Sequence, residues 1–484
     1  MHRPFPAILS LLVCLAPVGA GAEPPSAEEG APAEVPLVLP TPGAPTLSLA
    51  AAVREALQKG FGILDAADAV EGARWNEKTA AARFFPSVVP VYQRSKDLTV
   101  FGVDLSQALP WTGGSVSASG RYLSEPARDA PFAKTADVRL LFSQPLLRGF
   151  GPNASLFDLR NARRARAGQE RSFALARQRL AVDVAAGFFA VVAQRQLLEV
   201  ARQSLGRTDA LLRASNARLE VGMASKLDVF RAELQRQQAQ DAVLRAEASL
   251  ATALERFRAA LARPPADPVE PEASTLPRPA EGDVAPAEAL VARALASRLE
   301  ILEARDRLRD AERAAALAGQ NLLPQVAVNV GVSRVGYGTS LGGAWSAGDR
   351  RVEVFLSGSV PLPLAAERAA RAVARMEAAS RERAVLKAEI DVEQEVRQAV
   401  RGLELARKSA LIQARAVEVA ESQRRLAVLR YERGLGSNFD VVDAEGSLVS
   451  ARSALVQLLT GYAVARLDLA RATGALDVES EFAP

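Results

Sequence analysis

Few side chains in this sequence are equipped for covalent chemistry. Gly338-Thr339-Ser340-Leu341-Gly342 matches the G-x-S-x-G pattern, in which a sharp turn exposes a nucleophilic serine. Such a serine needs an imidazole to take its proton, and the only histidine among the 484 residues is His2. His2 sits in an N-terminal segment with the features of a removable signal, so the processed chain holds no imidazole. The serine segment then reads as a glycine-rich loop. Gly336 to Gly343 also lacks the strand, loop and lysine of a phosphate cradle. Cys14 is the only cysteine and lies in the same N-terminal segment, so disulfides, thiolate chemistry and Cys-based zinc sites are excluded together. No catalytic residue, cofactor or metal is expected, and the chain reads as a non-enzyme.

The most informative carboxylates are Asp440 and Asp443, which stand three residues apart and share one helix face. Ser225-x-x-Asp228 and Ser437-x-x-Asp440 each fit a capping box that starts a helix after a glycine turn. Asp440 therefore has a structural role open to it that Asp443 lacks. A cluster of Arg160, Arg163, Arg164 and Arg166 has the composition of a nucleic-acid patch, but in an exported protein it reads as a solvated helix face, with no nucleic-acid partner.

The elements that would position these groups are legible from the N-terminus onward. Arg3, the apolar run Ala7 to Val18 and Ala20-Gly21-Ala22 make residues 1–22 a secretory signal peptide. Val13 before Cys14 is not small, which argues against lipoprotein-type cleavage. Residues 23–46, rich in Pro, Ala and Glu, read as disordered. The 60 basic and 56 acidic residues nearly cancel, and although 49% of the chain is apolar, no second run looks long enough for a membrane helix of about 20 residues. A membrane passage would therefore be made by strands.

The chain contains itself twice. Val53 to Val88 aligns without a gap on Val291 to Val326, and Pro86 matches Pro324. Arg218 to Asp228 aligns on Arg430 to Asp440, and Glu233 on Glu445. The first repeat spans 47–263, a Pro-rich linker 264–288, the second repeat 289–476, and a tail 477–484. Proline is absent from Ser155 to Arg263 and from Leu364 to Ala483, where Ala, Leu, Arg, Glu and Gln dominate. Such stretches predict very long helices with apolar residues at coiled-coil spacing.

Before each long helix the period changes to two. Val326, Val328, Val330 and Val332 alternate with small and polar residues, as do Val352, Val354 and Leu356. The first half holds strand candidates at Val88–Arg94, Phe101–Leu109, Gly114–Leu123 and Ala136–Ser143. Between the matched prolines, Pro86 to Pro145 exceeds Pro324 to Pro361 by 22 residues, which is an inserted hairpin or an enlarged surface loop. A soluble sandwich and an outer-membrane barrel both fit the alternation. If the strands enter lipid, too few exist in one chain to close a barrel, and an oligomer is required. Trp111, Trp345, Tyr92 and Tyr122 fall where an aromatic girdle would, though strand propensity accounts for them as well.

The signal, the tandem repeat, strand pairs leading into long helices and a glycine-aspartate turn in each half resemble the TolC family of outer-membrane efflux proteins. The likeness covers about residues 47 to 476. It implies an α+β membrane protein located in the outer membrane with a periplasmic extension. In such a homotrimer each chain gives four strands to a β-barrel and its helices to a coiled-coil tunnel. Outer-membrane lipid, a periplasmic adaptor and an inner-membrane pump are the implied partners, and the implied function is passive conduction in a tripartite efflux or type I secretion system. A periplasmic coiled-coil adaptor or scaffold without a pore is the alternative; the doubled hairpin and twice-repeated strand pair speak against it.

By the same resemblance the periplasmic gate lies at Tyr431 to Asp443. A threefold axis there turns Asp440 and Asp443 into two stacked carboxylate rings that favour cations. Asp228 is expected to meet Tyr431 across the closed gate. Gly436 stands where relatives carry a gating arginine, which leaves Arg433 or Arg231 to replace it. Val221, Gly222 and Met223, with Arg433, Gly434 and Leu435, correspond to the turns that face an adaptor.

Overall fold

The computed structural model describes residues 45–477 except 97, 128–129, 274, 280–284, 347 and 361. Residues 1–22, expected to be a signal peptide, nearly all of 23–46, most of the tail and Pro361 lie outside the described residues. The chain divides into Met1–Val38 and Leu39–Pro484, and the described residues belong to the second unit.

The first half runs β1 (Thr46–Leu47), α1 (Leu49–Lys59), α2 (Phe61–Ala82), β2 (Ser87–Arg94), β3 (Thr99–Ala108), β4 (Ser115–Ala127), β5 (Ala130–Pro145), α3 (Pro152–Ser155), α4 (Phe157–Glu220) and α5 (Lys226–Ala260). The second half runs β6 (Glu270–Pro271), α6 (Ala287–Ser297), α7 (Leu299–Gln320), β7 (Gln325–Gly338), α8 (Leu341–Ser346), β8 (Asp349–Ser359), α9 (Ala365–Glu432) and α10 (Asn438–Ala472). At 1.5 Å per residue, the 64 residues of α4 and the 68 of α9 make rods of about 100 Å.

The repeat seen in the sequence is a repeat of packing. Val53, Ala56 and Ile63 are buried in the first half, and their counterparts Val291, Ala294 and Ile301 are buried in the second. Of the former, Val53 and Ala56 pack against α4 around Ala181–Val192 and against Leu250, Leu254 and Phe257 of α5. The latter pack against Val392, Val396 and Val400 of α9. Each short helix pair thus docks the same apolar face on its own long helix. The described part of the linker is tied to the helices. Within it β6 pairs in parallel with β1, Val269 and Leu276 are buried, and Arg258 of α5 donates to the carbonyls of Pro265 and Val269.

Two expectations change. By length and composition α4 and α10 could each cross a membrane. In α4 the apolar stretch around Ala181–Val192 is instead part of the helical core. The clustered arginines are paired rather than free: Arg163 and Arg166 hold Glu77 of α2, and Arg164 holds Asp306 of α7. They fasten α4 to its neighbours.

The sheet has six antiparallel strands in the order β2-β3-β4-β5-β7-β8, two more than the four implied by the family resemblance. The extra 22 residues are therefore strands and not a surface loop. All four first-half strand candidates form, and the two halves join where β5 pairs with β7, from Lys134↔Gly338 to Pro145↔Ala327. The strand ends at Arg94, Thr99, Ala127, Ala130, Gly338 and Asp349 lie at the end of the sheet away from the helices. The expected glycine-rich loop is part strand and part helix. Ala344 of α8 packs so closely on β7 that a Cβ at Gly336 would fall 1.8 Å from its carbonyl oxygen.

Candidate gate and conduit surfaces

Two helical turns lie side by side. In each, a glycine takes a left-handed conformation, φ 75° at Gly222 and 72° at Gly434, which only glycine adopts without strain. Three residues later a serine opens the next helix. Asp228 Oδ2 accepts from Ser225 N at 3.1 Å while Asp228 N donates to Ser225 Oγ at 3.2 Å. Ser437 and Asp440 repeat this reciprocal box at 2.9 and 3.3 Å. The boxes satisfy main-chain donors that would otherwise be orphaned at the helix starts.

Behind the turns sits a buried polar chain. Tyr431, 7% exposed, has its hydroxyl 3.2 Å from Ser215 Oγ, and Ser215 is fully buried. Asn438 Nδ2 donates to that same Ser215 oxygen at 3.2 Å and to the main-chain carbonyl of Asp228 at 2.7 Å. Arg218 stacks its guanidinium 4.0 Å from the centre of the Tyr431 ring and donates to the carbonyl of Glu432 at 3.0 Å. Farther along, Arg207 grips the buried carboxylate of Glu445 with Nε at 2.8 and 3.0 Å from its two oxygens.

The expected meeting of Asp228 and Tyr431 thus takes a different form. The Asp228 carboxylate is committed to its own cap, so within the protomer the link to Tyr431 runs through the main chain of Asp228, Asn438 and Ser215. Ser215, Arg218 and Asn438 were not singled out as functional from the sequence. Asn438 in particular carries no signal there, because its partner is a carbonyl 210 positions away.

Asp440 and Asp443 are both exposed at the start of α10, and Asp443 has no hydrogen-bond or ion-pair partner among the described residues. Arg231, the counterpart of Asp443 in the first turn, reaches 4.0 Å from Asp228 Oδ1. Gly436 is cramped, since a Cβ there would stand 3.1 Å from Cβ of Arg430. At the tips Val221, Met223 and Leu435 are 67%, 72% and 70% exposed, and Arg433 and the two glycines are exposed beside them.

At the other end, the register separates the faces of the sheet. One face carries Val88, Phe101, Val103, Leu105, Val138, Leu140, Val330, Val352, Val354 and Leu356, all exposed. The opposite face carries Ser115, Ser117, Ser119, Ser143, Asn329 and Ser333, together with Asp104, Arg121, Asp137, Arg139, Arg351 and Glu353. Arg121 pairs with Asp104 at 3.3 Å on this polar face. Tyr92, Phe101 and Tyr122 form one row across β2, β3 and β4 on the apolar face, with the Tyr92 and Phe101 rings 4.9 Å apart. Trp111 lies in the β3–β4 turn at the helical end. An apolar outer face, a small polar inner face and aromatics toward the rims are the pattern of a lipid-embedded barrel wall.

The family profile described as outer membrane efflux protein matches residues 52–263 and 290–475. None of the curated proteins matches the chain. Among solved structures, the outer-membrane protein VceC of Vibrio cholerae aligns at 17% identity and a TM-score of 0.66, covering 88% of this chain and 96% of VceC. The outer-membrane channel CmeC of Campylobacter jejuni aligns at 13% identity and a TM-score of 0.67, covering 90% and 88% of the two chains. The open state of the outer-membrane channel MtrE of Neisseria gonorrhoeae aligns at 17% identity and a TM-score of 0.65, covering 88% of each. At these identities the likeness is one of fold.

Proposed function

The chain belongs to the outer membrane efflux protein family, and from that premise we propose that three copies assemble into one continuous conduit, gated at the α4–α5 and α9–α10 turns. It is an outer-membrane channel protein with a periplasmic helical extension, and it carries out no catalysis.

The observation that carries the assembly is the six-stranded sheet with an apolar face and two open edges, β2 and β8. In lipid an unpaired edge leaves main-chain groups without partners, and six strands fall short of the roughly eight that close the smallest barrels. Pairing β8 of one copy with β2 of the next removes every edge. Three copies of six strands give eighteen, so the barrel is wider than one built from four strands per chain, because diameter grows with strand number. The serine-rich face then lines water.

At the opposite end the threefold axis gathers Asp440 and Asp443 into carboxylate rings at the mouth, which attract cations and repel anions. The exposed Val221, Met223 and Leu435 offer apolar tips to a periplasmic adaptor, which joins the conduit to an inner-membrane pump. Energy comes from the pump, and the conduit is passive. The adaptor-scaffold alternative leaves the apolar sheet face without a medium that suits it.

Planar-bilayer recording of the purified protein tests this. The expected result is a small, cation-selective current that loses selectivity in the Asp440→Ala, Asp443→Ala double variant. Folded protein that passes no current in any state overturns the conduit.

A further inference from the structure

The apolar face of the sheet carries charge at one end only, and all of it is positive. By register, Arg94 of β2, Lys134 of β5, Arg334 of β7 and Arg350 of β8 share the face that bears Tyr92, Phe101 and Val138. No aspartate or glutamate of the six strands lies on that face. Asp104, Asp137, Asp349 and Glu353 all point the other way. The four cations cluster at the end of the sheet away from the helices, in the rows on either side of the Tyr92–Phe101–Tyr122 row.

Two of these cations stand directly opposite each other, since Arg334 pairs with Arg350 across β7 and β8. Like charges in that relation destabilise a sheet. On the polar face Arg121 pairs with Asp104 and Arg351 lies near Glu353. None of the four apolar-face cations has an ion-pair partner among the described residues. Arg334 is held upright by its Nε donating to the Gly348 carbonyl at 3.3 Å and by Trp345, whose ring centre lies 5.3 Å from the guanidinium. Arg334 therefore stays on the face despite the repulsion. Trp345 and Gly342 of α8, with Tyr92, Phe101, Tyr122 and Val138, also border one apolar depression beside it.

We propose that this rim is a binding surface for phosphate-bearing lipid of the outer leaflet. The headgroup phosphates would lie between Arg334, Arg350 and Lys134, and acyl chains would run down the valine and leucine rows toward the helices. Arginine forks suit phosphate oxygens, and the aromatic row marks the level where headgroup meets hydrocarbon. An anionic headgroup removes the Arg334–Arg350 repulsion that the protein leaves unanswered. This inference rests on the sheet being the membrane-embedded wall, and the test separates the two.

Purified protein is titrated with bis-phosphorylated lipid A in zwitterionic micelles, followed by native mass spectrometry, with dephosphorylated lipid A as the comparison. The wild type is expected to prefer the phosphorylated lipid. The Arg334→Gln, Arg350→Gln variant should bind it about tenfold more weakly while its bilayer current is unchanged. If that variant does not fold, Arg94→Gln with Lys134→Gln removes rim charge away from the β7–β8 hairpin and should show the same loss. Equal binding of the two lipids by a wild type that conducts overturns the lipid site and leaves the conduit standing. Displacement of the lipid by millimolar inorganic phosphate overturns it in favour of a free-anion site. A wild type that neither conducts nor binds lipid overturns the membrane reading on which the site depends.

Discussion

Asn438 Nδ2 lies 2.7 Å from the main-chain carbonyl of Asp228, so the first residue of α10 is tied to the first turn of α5. Asn438 is 2% exposed, and its other hydrogen bond goes to Ser215, which also holds the Tyr431 hydroxyl. This one side chain therefore couples both hairpins to the long helix α4.

Asn438→Ala is expected to loosen that coupling. It removes both hydrogen bonds made by a buried side chain, a cost of about 1–3 kcal/mol. If the closed turn is what these bonds hold, single-channel recordings should show longer or more frequent openings. Tyr431→Phe, which loses only the Ser215 bond and keeps the Arg218 stack, should shift gating in the same direction by less. Open-state occupancy unchanged in both variants would mean that the chain supports folding and not closure.

The capping boxes, the glycine turns and the strand alternation were legible because each is a local pattern within four residues or a period of two. The Asn438 link was not, since nothing near Asn438 marks Asp228 as its partner. The extra 22 residues show the same limit. Their alternation around Phe101 and Val116 was readable, but their place between β2 and β5 depends on pairings such as Val103↔Gly120 that exist only in the folded sheet. Arg218 served as an anchor of the internal alignment, and its stacking on Tyr431 joins residues 213 positions apart.

Asp440 and Asp443 should respond differently to removal of charge. Asp440 Oδ2 accepts from Ser437 N, so Asp440→Asn weakens a cap worth about 1 kcal/mol as well as removing charge. Asp443 has no such duty. Asp443→Asn should lower cation selectivity in reversal-potential measurements and leave thermal stability within about 0.5 kcal/mol of wild type. Selectivity that survives Asp443→Asn but falls in Asp440→Asn would place the filter at the Asp440 ring alone.

Glu55 of α1 is clasped by Arg263 just beyond α5, with Nε at 2.8 Å and a terminal nitrogen at 2.9 Å from its two oxygens. That hydrogen bonding is the main cause holding the Glu55 carboxyl below its ordinary value of 4.5; burial opposes it and Lys59 assists. Because the folded pKa is the lower one, the stabilisation is complete above the unfolded value and is lost as pH falls through the folded value. Glu55→Gln should melt earlier than wild type at neutral pH, by about 1–2 kcal/mol. The gap should narrow in strong acid, where wild-type Glu55 is protonated as well. A gap that persists unchanged at about pH 2 would assign the effect to packing of α1 and not to charge.

The edge-to-edge closure makes a demand on cysteine chemistry that the chain is suited to meet, because Cys14 is its only cysteine and lies in the N-terminal segment that the sequence reads as a removable signal. Val91 and the residues Glu353, Phe355 and Ser357 lie on the polar face of opposite edge strands. Val91→Cys combined in turn with Glu353→Cys, Phe355→Cys and Ser357→Cys scans the register between chains. Neighbouring strands bring directly opposed Cβ atoms to about 4.5–5.5 Å, close enough to cross-link with little movement. One combination should give disulfide-linked species up to the trimer and no larger on non-reducing gels. Both cysteines are needed for the link, so either single substitution should leave monomers. Species that stop at the dimer would show that the edges meet in pairs, and the eighteen-strand barrel would then be wrong even if the protein conducts.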